Sequence, residues 1–522
     1  MDVPSKTFTR AEVAKHNTED SVWFIVDTVV YDVSDFLDAH PGGEAVLRQV
    51  AGQDATAAFY NLHRQEVLVK YKDLAIGTIA GEKQSIITPQ PGDISLVPYA
   101  EPLWLTPQFK SPYFKDSHRR LQKAMRLFTD LYITPEALEK ERTGEHIGQH
   151  LIDRMSKSGV LHMRMGPGKH LHGVELLGGG VVDGKEFDYF HDMIVAQEQV
   201  RAACRGFQDG NMAGMVIGLT CILNFCKDPA MKQRISDEVF SGQKKICLAI
   251  TEAFAGSDVA GLRTTAKKTA DGKHYIVNGE KKWITNGIWS DYFTVAVRTG
   301  KPGMNGVSLL LIERDFGGVS TRRMDCQGVW SSGTTYITFE DVKVPVENLI
   351  GKENQGFRVI MTNFNHERIG IIIQCLRFSR VCYEESVRYA NKRKTFGKKL
   401  IDHPVIRLKL AHMARQIEAS YNWLENMLYQ CEKMGETEAM LRLGGPIASL
   451  KAQATVTFEF CAREASQIFG GLSYSRGGQG GKVERLYRDV RAYAIPGGSE
   501  EIMLDLSIRQ SMRVAKMTGM KL

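Results

Sequence analysis

The stretch from Cys247 to Gly287, CLAITEAFAGSDVAGLRTTAKKTADGKHYIVNGEKKWITNG, constrains this chain more than any other. It holds two cassettes. The first, Thr251-Glu-Ala-Phe-Ala-Gly-Ser-Asp258, is a small-residue loop between apolar flanks. At Gly256 and Ser257 such a loop lets backbone N–H groups come close to a phosphate or a polar ring edge. The second, Lys281-Lys-Trp-Ile-Thr-Asn-Gly287, follows an Asn278-Gly279 pair that reads as a tight hairpin turn. Residues i and i+2 of a strand share a face, so Trp283 and Thr285 are expected side by side. An indole next to a hydroxyl suits a flat heteroaromatic ring that takes one stacked neighbour and one hydrogen bond.

At 522 residues the chain has room for roughly three or four domains. The longest uncharged apolar run, Asn211 to Cys226, is too short to cross a bilayer and reads as a buried helix. All nine cysteines follow residue 200 without a C-x-x-C pair, so neither disulfides nor a metal cluster is expected, and a reducing compartment follows. The first twenty residues have no apolar signal core, and their acidic residues argue against a mitochondrial transit peptide. The chain ends Gly519-Met-Lys-Leu522, a departure from the Ser-Lys-Leu peroxisomal address, which makes the peroxisome or the cytosol the expected location. Charge is uneven. Residues 1–80 carry a net −5 and the remainder +12. No basic helix, finger or aromatic platform accompanies that positive charge, which argues against nucleic acid and for a phosphorylated small substrate. An acidic module could also dock on a basic one.

The first eighty residues have a signature of their own. Phe8–Val13 reads as a capped helix start and Ser21–Val26 as a strand. His40-Pro-Gly-Gly43 then places one histidine in a constrained loop, and Phe59-Tyr-Asn-Leu-His63 supplies a second, after a helical stretch (Glu44–Val50) and a turn (Ala51–Asp54). Two neutral imidazoles on opposite sides of a pocket can fill both axial positions of a haem iron. This region resembles a complete cytochrome b5 domain, which implies heme b with His40 and His63 as metal ligands. Between Pro89 and Pro112 fall six of the sixteen prolines, which favours an extended, semi-rigid spacer. Beyond it, residues 116–240 show helical periodicity, as in Leu121/Met125/Phe128, followed by a strand-rich segment over 245–345 and a return to helix near Gly356. Gly178-Gly-Gly180 reads as a loop.

The two cassettes together, within this helical, β, helical order, resemble the acyl-CoA dehydrogenase family over roughly residues 100–520. The implied fold is multidomain. A small α+β cytochrome b5-like domain (1–81) and a Pro-rich linker (82–112) precede a helical domain (113–243), a β-barrel-like middle domain (244–350) and a C-terminal helical bundle (351–522). The resemblance implies FAD as cofactor and an acyl-CoA substrate, with a carboxylate base on one face of the thioester and the flavin on the other. Many members carry that base near the C-terminus in a Tyr-Glu-Gly-Thr run. Here the matching run is Ile495-Pro-Gly-Gly-Ser-Glu-Glu-Ile502, and Gly497 stands where the Glu would be. The long-chain and isovaleryl branches instead place it on an earlier helix, and Phe364-Asn-His-Glu-Arg-Ile369 makes Glu367 the candidate base, with Arg368 beside it in the substrate pocket.

Other site residues follow from the same resemblance. Thr251, Gly256, Ser257, Trp283 and Thr285 are implied flavin contacts, and Ser257 also faces the substrate. In Lys392-Arg-Lys-Thr-Phe-Gly397, Arg393 and Thr395 are implied to serve the FAD phosphates across a subunit interface, and Phe396 is implied as a further cofactor contact. Gln467-Ile-Phe-Gly-Gly471 matches a second FAD loop through Gln467, Gly470 and Gly471, and Ser499 and Glu501 match later contacts. His403 matches a further FAD contact, but Pro404 replaces the usual Gln after it. Asn365 replaces an Asp near the CoA adenine, which softens nucleotide recognition. A homodimer or homotetramer is implied by shared FAD contacts, and the electron acceptor is left open. Three activities remain in view. The first is a dehydrogenase giving a 2-enoyl-CoA, with the fused haem taking part in electron transfer. The second is an oxidase or monooxygenase on the same fold using O2, and the third a non-catalytic haem-binding scaffold.

Overall fold

The computed structural model describes residues 4–84, 86 and 89–519, so Met520–Leu522, on which the peroxisomal expectation rests, lie outside the described residues. The chain divides into two compact units. One comprises residues 1–90, 384–411 and 464–484, and the other comprises 91–383, 412–463 and 485–522. Among the described residues no helix is long and apolar enough to cross a membrane.

In the first unit, four strands pair in the order β1 (Thr7–Phe8), β4 (Ala75–Ile79), β3 (Val29–Asp32) and β2 (Trp23–Val26). Thr9 caps the helix Arg10–Val13 through a reciprocal box, with Glu12 reaching back to the Thr9 amide. A Thr followed three residues later by Glu encodes that start. Val22, Phe24, Val26, Tyr31 and Leu47 form a core under the short helices Glu44–Arg48 and Thr56–Leu62. The unit also gathers the chain around residue 385. Arg64 donates to both Glu385 carboxylate oxygens at 2.8 and 3.1 Å, Lys482 pairs with the same carboxylate at 3.2 Å, and Lys392 lies over the Tyr60 ring.

The second unit is held by a buried charge network. Arg126, on the helix Asp116–Phe128, is fully buried and binds Glu101 at 2.7 and 3.0 Å and Glu198 at 2.8 and 2.9 Å. Glu101 also accepts from Arg377 at 2.8 Å. Residues near Glu101 are therefore not a bare spacer. Ala100, Trp104 and Leu105 are buried and Trp104 stacks on Phe114, because the prolines here separate short apolar anchors rather than a run of polar residues. The run after Asn211 forms the mostly buried helix Gly214–Phe225.

Eight strands make one sheet. The order is β10 (Val319–Arg323), β11 (Thr335–Pro345), β7 (His274–Ile284), β6 (Thr265–Lys268), β8 (Tyr292–Arg298), β9 (Val307–Glu313) and β12 (Leu349–Ile350), with β5 (Ile246–Ala249) beside β8. Its end strands do not pair with each other, so the sheet is open and not the expected barrel. The Asn278-Gly279 hairpin is also overturned. Both residues lie inside β7, and the turn between β6 and β7 falls at Asp271–Gly272. Glycine is needed at 279 for another reason: φ is +145° and a Cβ would sit 2.7 Å from Thr264 Cα. Opposite it the β11 register slips between Phe339 and Val342, and Asn278 bonds the bulged Asp341 through both amide atoms.

Removing Arg126 would take the shared cation from two buried carboxylates and leave Glu101 only Arg377, a class of change that costs about 3–5 kcal/mol. Arg126→Met is expected to lower the main thermal transition by roughly 10 °C. The haem absorption of the N-terminal module should persist through the early part of the melt, and an unchanged transition would remove the network from the account of stability.

Candidate active site

The Thr251–Asp258 loop is fixed from beneath by a buried ion pair. Lys281, on β7, has no exposed surface and donates to Glu252 at 2.8 Å and to the Ile250 carbonyl at 2.9 Å. Glu252 also accepts from the Arg263 and Thr264 amides and from the Thr264 hydroxyl. Burial pushes Lys281 down to about 8 in spite of its partner. At Glu252 burial acts upward, but the Lys281 charge and the donated hydrogen bonds outweigh it and hold the carboxyl below its ordinary range. Neither residue was among the sequence candidates, although Lys281 shares strand parity with the buried Tyr275 and Val277, a signal that marks it as inward-facing.

Above this pair, Trp283 and Thr285 line one cavity of about 610 Å³ together with Glu367. They do not meet by pleat alternation. The register slips again between Thr335 and Ile337, Trp283 takes a φ of +60° with half its surface exposed, and Thr285 lies just past the strand end. The bulge re-aims the indole. Thr251 is half-buried at the loop's start, while Gly256 and Ser257 are exposed, with nothing packed over Gly256.

Glu367 belongs to the helix Gly356–Lys392. Burial pushes its carboxyl above the ordinary range, against the opposing charges of Arg368, Lys451 and Arg205. Arg368 is buried, donates to the Gly497 carbonyl at 3.0 Å and reaches Asn365 Oδ1 at 3.5 Å. A second fully buried lysine, also missed from the sequence, holds that loop. Lys451 donates to the carbonyls of Ala494 and Gly498 at 2.9 and 2.7 Å. Ser499 caps the helix Glu500–Met517, with Glu501 exposed in its first turn.

The remaining flavin candidates lie in the first unit and do not line the cavity. Strands β13 (Lys394–Thr395) and β14 (Lys398–Lys399) form a small hairpin whose tip, Phe396 and Gly397, has positive φ at both residues. Phe396 is 96% exposed. Thr395 meets His403 at 3.2 Å, and Pro404 opens the next helix, Pro404–Lys433, a position where its missing N–H costs nothing. Gln467, Gly470 and Gly471 are exposed at the close of the helix Gly444–Phe469, and Arg393 is half-buried just before the hairpin.

In the N-terminal module the His40 and His63 rings lie 6.0 Å apart, centroid to centroid. His40 Nδ1 is taken by the Gly43 carbonyl at 2.9 Å, which leaves Nε2 as its free nitrogen. His63 ends the helix Thr56–Leu62, and burial, then the neighbouring His40, pushes its pKa down, which favours the neutral ring. Phe36 and Phe59 pack against the two rings, and Val46, Leu62 and Val69 present apolar surface to solvent. Two imidazoles in an apolar surround fit a haem. A second histidine cluster, His118–Asp188–His191, is explained by structure alone. Asp188 caps the helix Tyr189–Gln199 and accepts from both rings.

Comparison with known proteins identifies the family. Residues 247–342 match the middle domain and residues 354–512 the C-terminal domain of acyl-CoA dehydrogenases, and residues 9–80 match the cytochrome b5-like heme/steroid binding domain. An acyl-CoA dehydrogenase of Emericella nidulans is 42% identical over 434 residues, 82% of this chain and 98% of that protein. The chain belongs to the acyl-CoA dehydrogenase family. The mitochondrial long-chain specific acyl-CoA dehydrogenase of Sus scrofa is 30% identical over 76% of this chain and 87% of its own length. The structure of butyryl-CoA dehydrogenase from Megasphaera elsdenii matches with a TM-score of 0.66 at 27% identity, over 77% of this chain and all of the other. This acyl-CoA dehydrogenase is thus an oxidoreductase acting on a CH–CH group, with FAD and haem as its cofactors. The cavity beside Trp283 and Thr285 fits the ring system, because it joins an open indole face to a hydroxyl.

Two substitutions test these sites. Lys281→Met leaves Glu252 a buried, unpaired carboxylate and is expected to cost about 3–5 kcal/mol and most of the bound flavin. Adding Glu252→Leu should recover much of the melting temperature, read by thermal denaturation, and no recovery would mean the pair is not what the loop rests on. His63→Ala is expected to abolish the bis-histidine haem spectrum while substrate still bleaches the flavin.

Proposed function

We propose that this enzyme oxidises an acyl-CoA to the 2-enoyl-CoA with Glu367 as the base. The observation that carries the reading is the placement of Glu367 in the cavity of Trp283 and Thr285, with a glycine at 497. FAD, when bound, supplies the hydride acceptor for the substrate β-carbon. Glu367 takes the α-proton, so the substrate loses one proton and one hydride and gains a carbon–carbon double bond. Burial raises the carboxyl's affinity for that proton, the direction a base needs to act on a weakly acidic carbon. Arg368, held by the Gly497 carbonyl, stays beside the base, and Lys451 keeps the 494–498 loop in place.

The haem, when bound, supplies a one-electron acceptor in the same chain. What supports an internal role is the ion pair of Arg64, the residue after the ligand His63, with Glu385, eight positions before the flavin-phosphate candidate Arg393. A homodimer or homotetramer is supported by Phe396, a bare aromatic at the tip of a basic hairpin that has nothing of its own unit to cover it.

Glu367→Gln is expected to slow anaerobic flavin reduction by roughly 10²–10⁴-fold while flavin and acyl-CoA still bind. In the wild type the rate should fall as pH drops, because only the deprotonated base acts, and the raised pKa places that limb above the range of a free glutamate. The stability effect has the opposite sign. The folded chain holds this proton more tightly than the unfolded one, so its stability falls as pH rises through the window, and the Gln variant should melt higher at neutral pH. Wild-type flavin reduction in the variant would remove Glu367 from the mechanism.

A further inference from the structure

The cavity beside Glu367 is rich in charged side chains. Four arginines and four acidic residues line it. Arg164, Asp192, Arg205, Gln208 and Asp209 are all more than nine-tenths buried. Arg164 donates to Asp192 at 3.0 Å, and the other oxygen of Asp192 meets His366 at 3.0 Å. Arg205 pairs with Asp209 and lies 3.4 Å over the Tyr493 ring. Three polar atoms of this cluster have no hydrogen-bond partner among the described residues: Arg164 Nε, Arg205 Nη1 and Gln208 Oε1. Two are donors and one is an acceptor. A plain methylene chain offers these buried atoms no partner.

The geometry points to an acyl group that carries a neutral hydroxyl along its chain, received by Arg205, Arg164 and Gln208. This rests on the acyl-CoA reading of the cavity. A hydroxyl both accepts and donates, and so answers both kinds of vacant valence. A carboxylate fits less well. Each inner arginine already has its own acid, and the lining is balanced at four of each sign, so a second buried anion would meet no spare cation. Gln208 is the specificity residue, since it alone of the three is not committed to an ion pair.

The test is a series of octanoyl-CoA esters bearing a hydroxyl at one carbon from C4 to C8, compared with octanoyl-CoA and its ω-carboxyl analogue. The readout is anaerobic flavin reduction by the holoenzyme. One hydroxy isomer is expected to exceed octanoyl-CoA in kcat/KM by about 10- to 100-fold, since a site built for a hydroxyl discriminates strongly against its absence. Gln208→Leu should collapse that ratio towards one, mainly through KM. Octanoyl-CoA matching every hydroxy ester would overturn the inference and leave the dehydrogenase reading intact. The ω-carboxyl ester leading the series would overturn it in favour of an anionic substrate. No ester reducing the flavin at all would overturn the dehydrogenase reading itself, and this inference with it.

Discussion

The active site of the body depends on one buried ion pair, Lys281 with Glu252. It ties the small-residue loop to the strand that carries Trp283, and so makes one rigid wall from two cassettes that are otherwise separate in sequence. A buried pair of this kind is weak evidence for net stability, because desolvation offsets much of the attraction. Its effect is on register. Lys281 can reach Glu252 and the Ile250 carbonyl only with β7 set as it is, and the bulge that turns Trp283 outward follows directly after it. The indole is left half exposed at a strained φ of +60°, a cost that a packed core would not select and a ligand-facing surface can bear.

What was legible in the sequence was local chemistry with fixed spacing. The capping box at Thr9 depends on near neighbours alone, and the His40 and His63 pair was readable as two imidazoles, which the fold brings to 6.0 Å. What was not legible depended on long-range partners. Asn278-Gly279 has the composition of a hairpin turn, yet tertiary packing against Thr264 and a bulge at Asp341 keep it inside a strand. The prolines around residue 100 suggested an open spacer, but Glu101 is drawn in by Arg126 and Arg377, which lie far along the chain. Lys281 and Lys451 look like surface lysines by type. The first could have been found from strand parity, and the second carries no comparable mark.

The charge asymmetry also reads differently at the level of residues. An acidic haem module and a basic remainder predict contacts from carboxylate on the module to cation elsewhere. In the first unit the close pair has the reverse polarity, with Arg64 on the module and Glu385 from the later chain. Lys482 shares that carboxylate and Lys392 lies on Tyr60, so the surroundings remain basic while the specific bond does not. Net charge steers encounter over roughly 10 Å at moderate salt. It does not choose the bonds formed afterwards, and a bidentate arginine–carboxylate pair fixes register better than a diffuse field.

The backbone at residue 497 disfavours a side chain there, which is in keeping with the base proposed at Glu367. Gly497 has a φ of +67°, and a Cβ there would stand 2.8 Å from Ile371 Cδ1. Its carbonyl is committed to Arg368, and the loop around it is held by two bonds from Lys451. A side chain at 497 would have to displace Ile371, on the same helix as Glu367, or give up the bond that positions Arg368. It would carry the strain of a left-handed backbone as well as the shift of Ile371. Arg368 and Lys451, which hold this loop through its carbonyls, are also the main opposing charges on Glu367, and burial still raises that carboxyl's proton affinity against them.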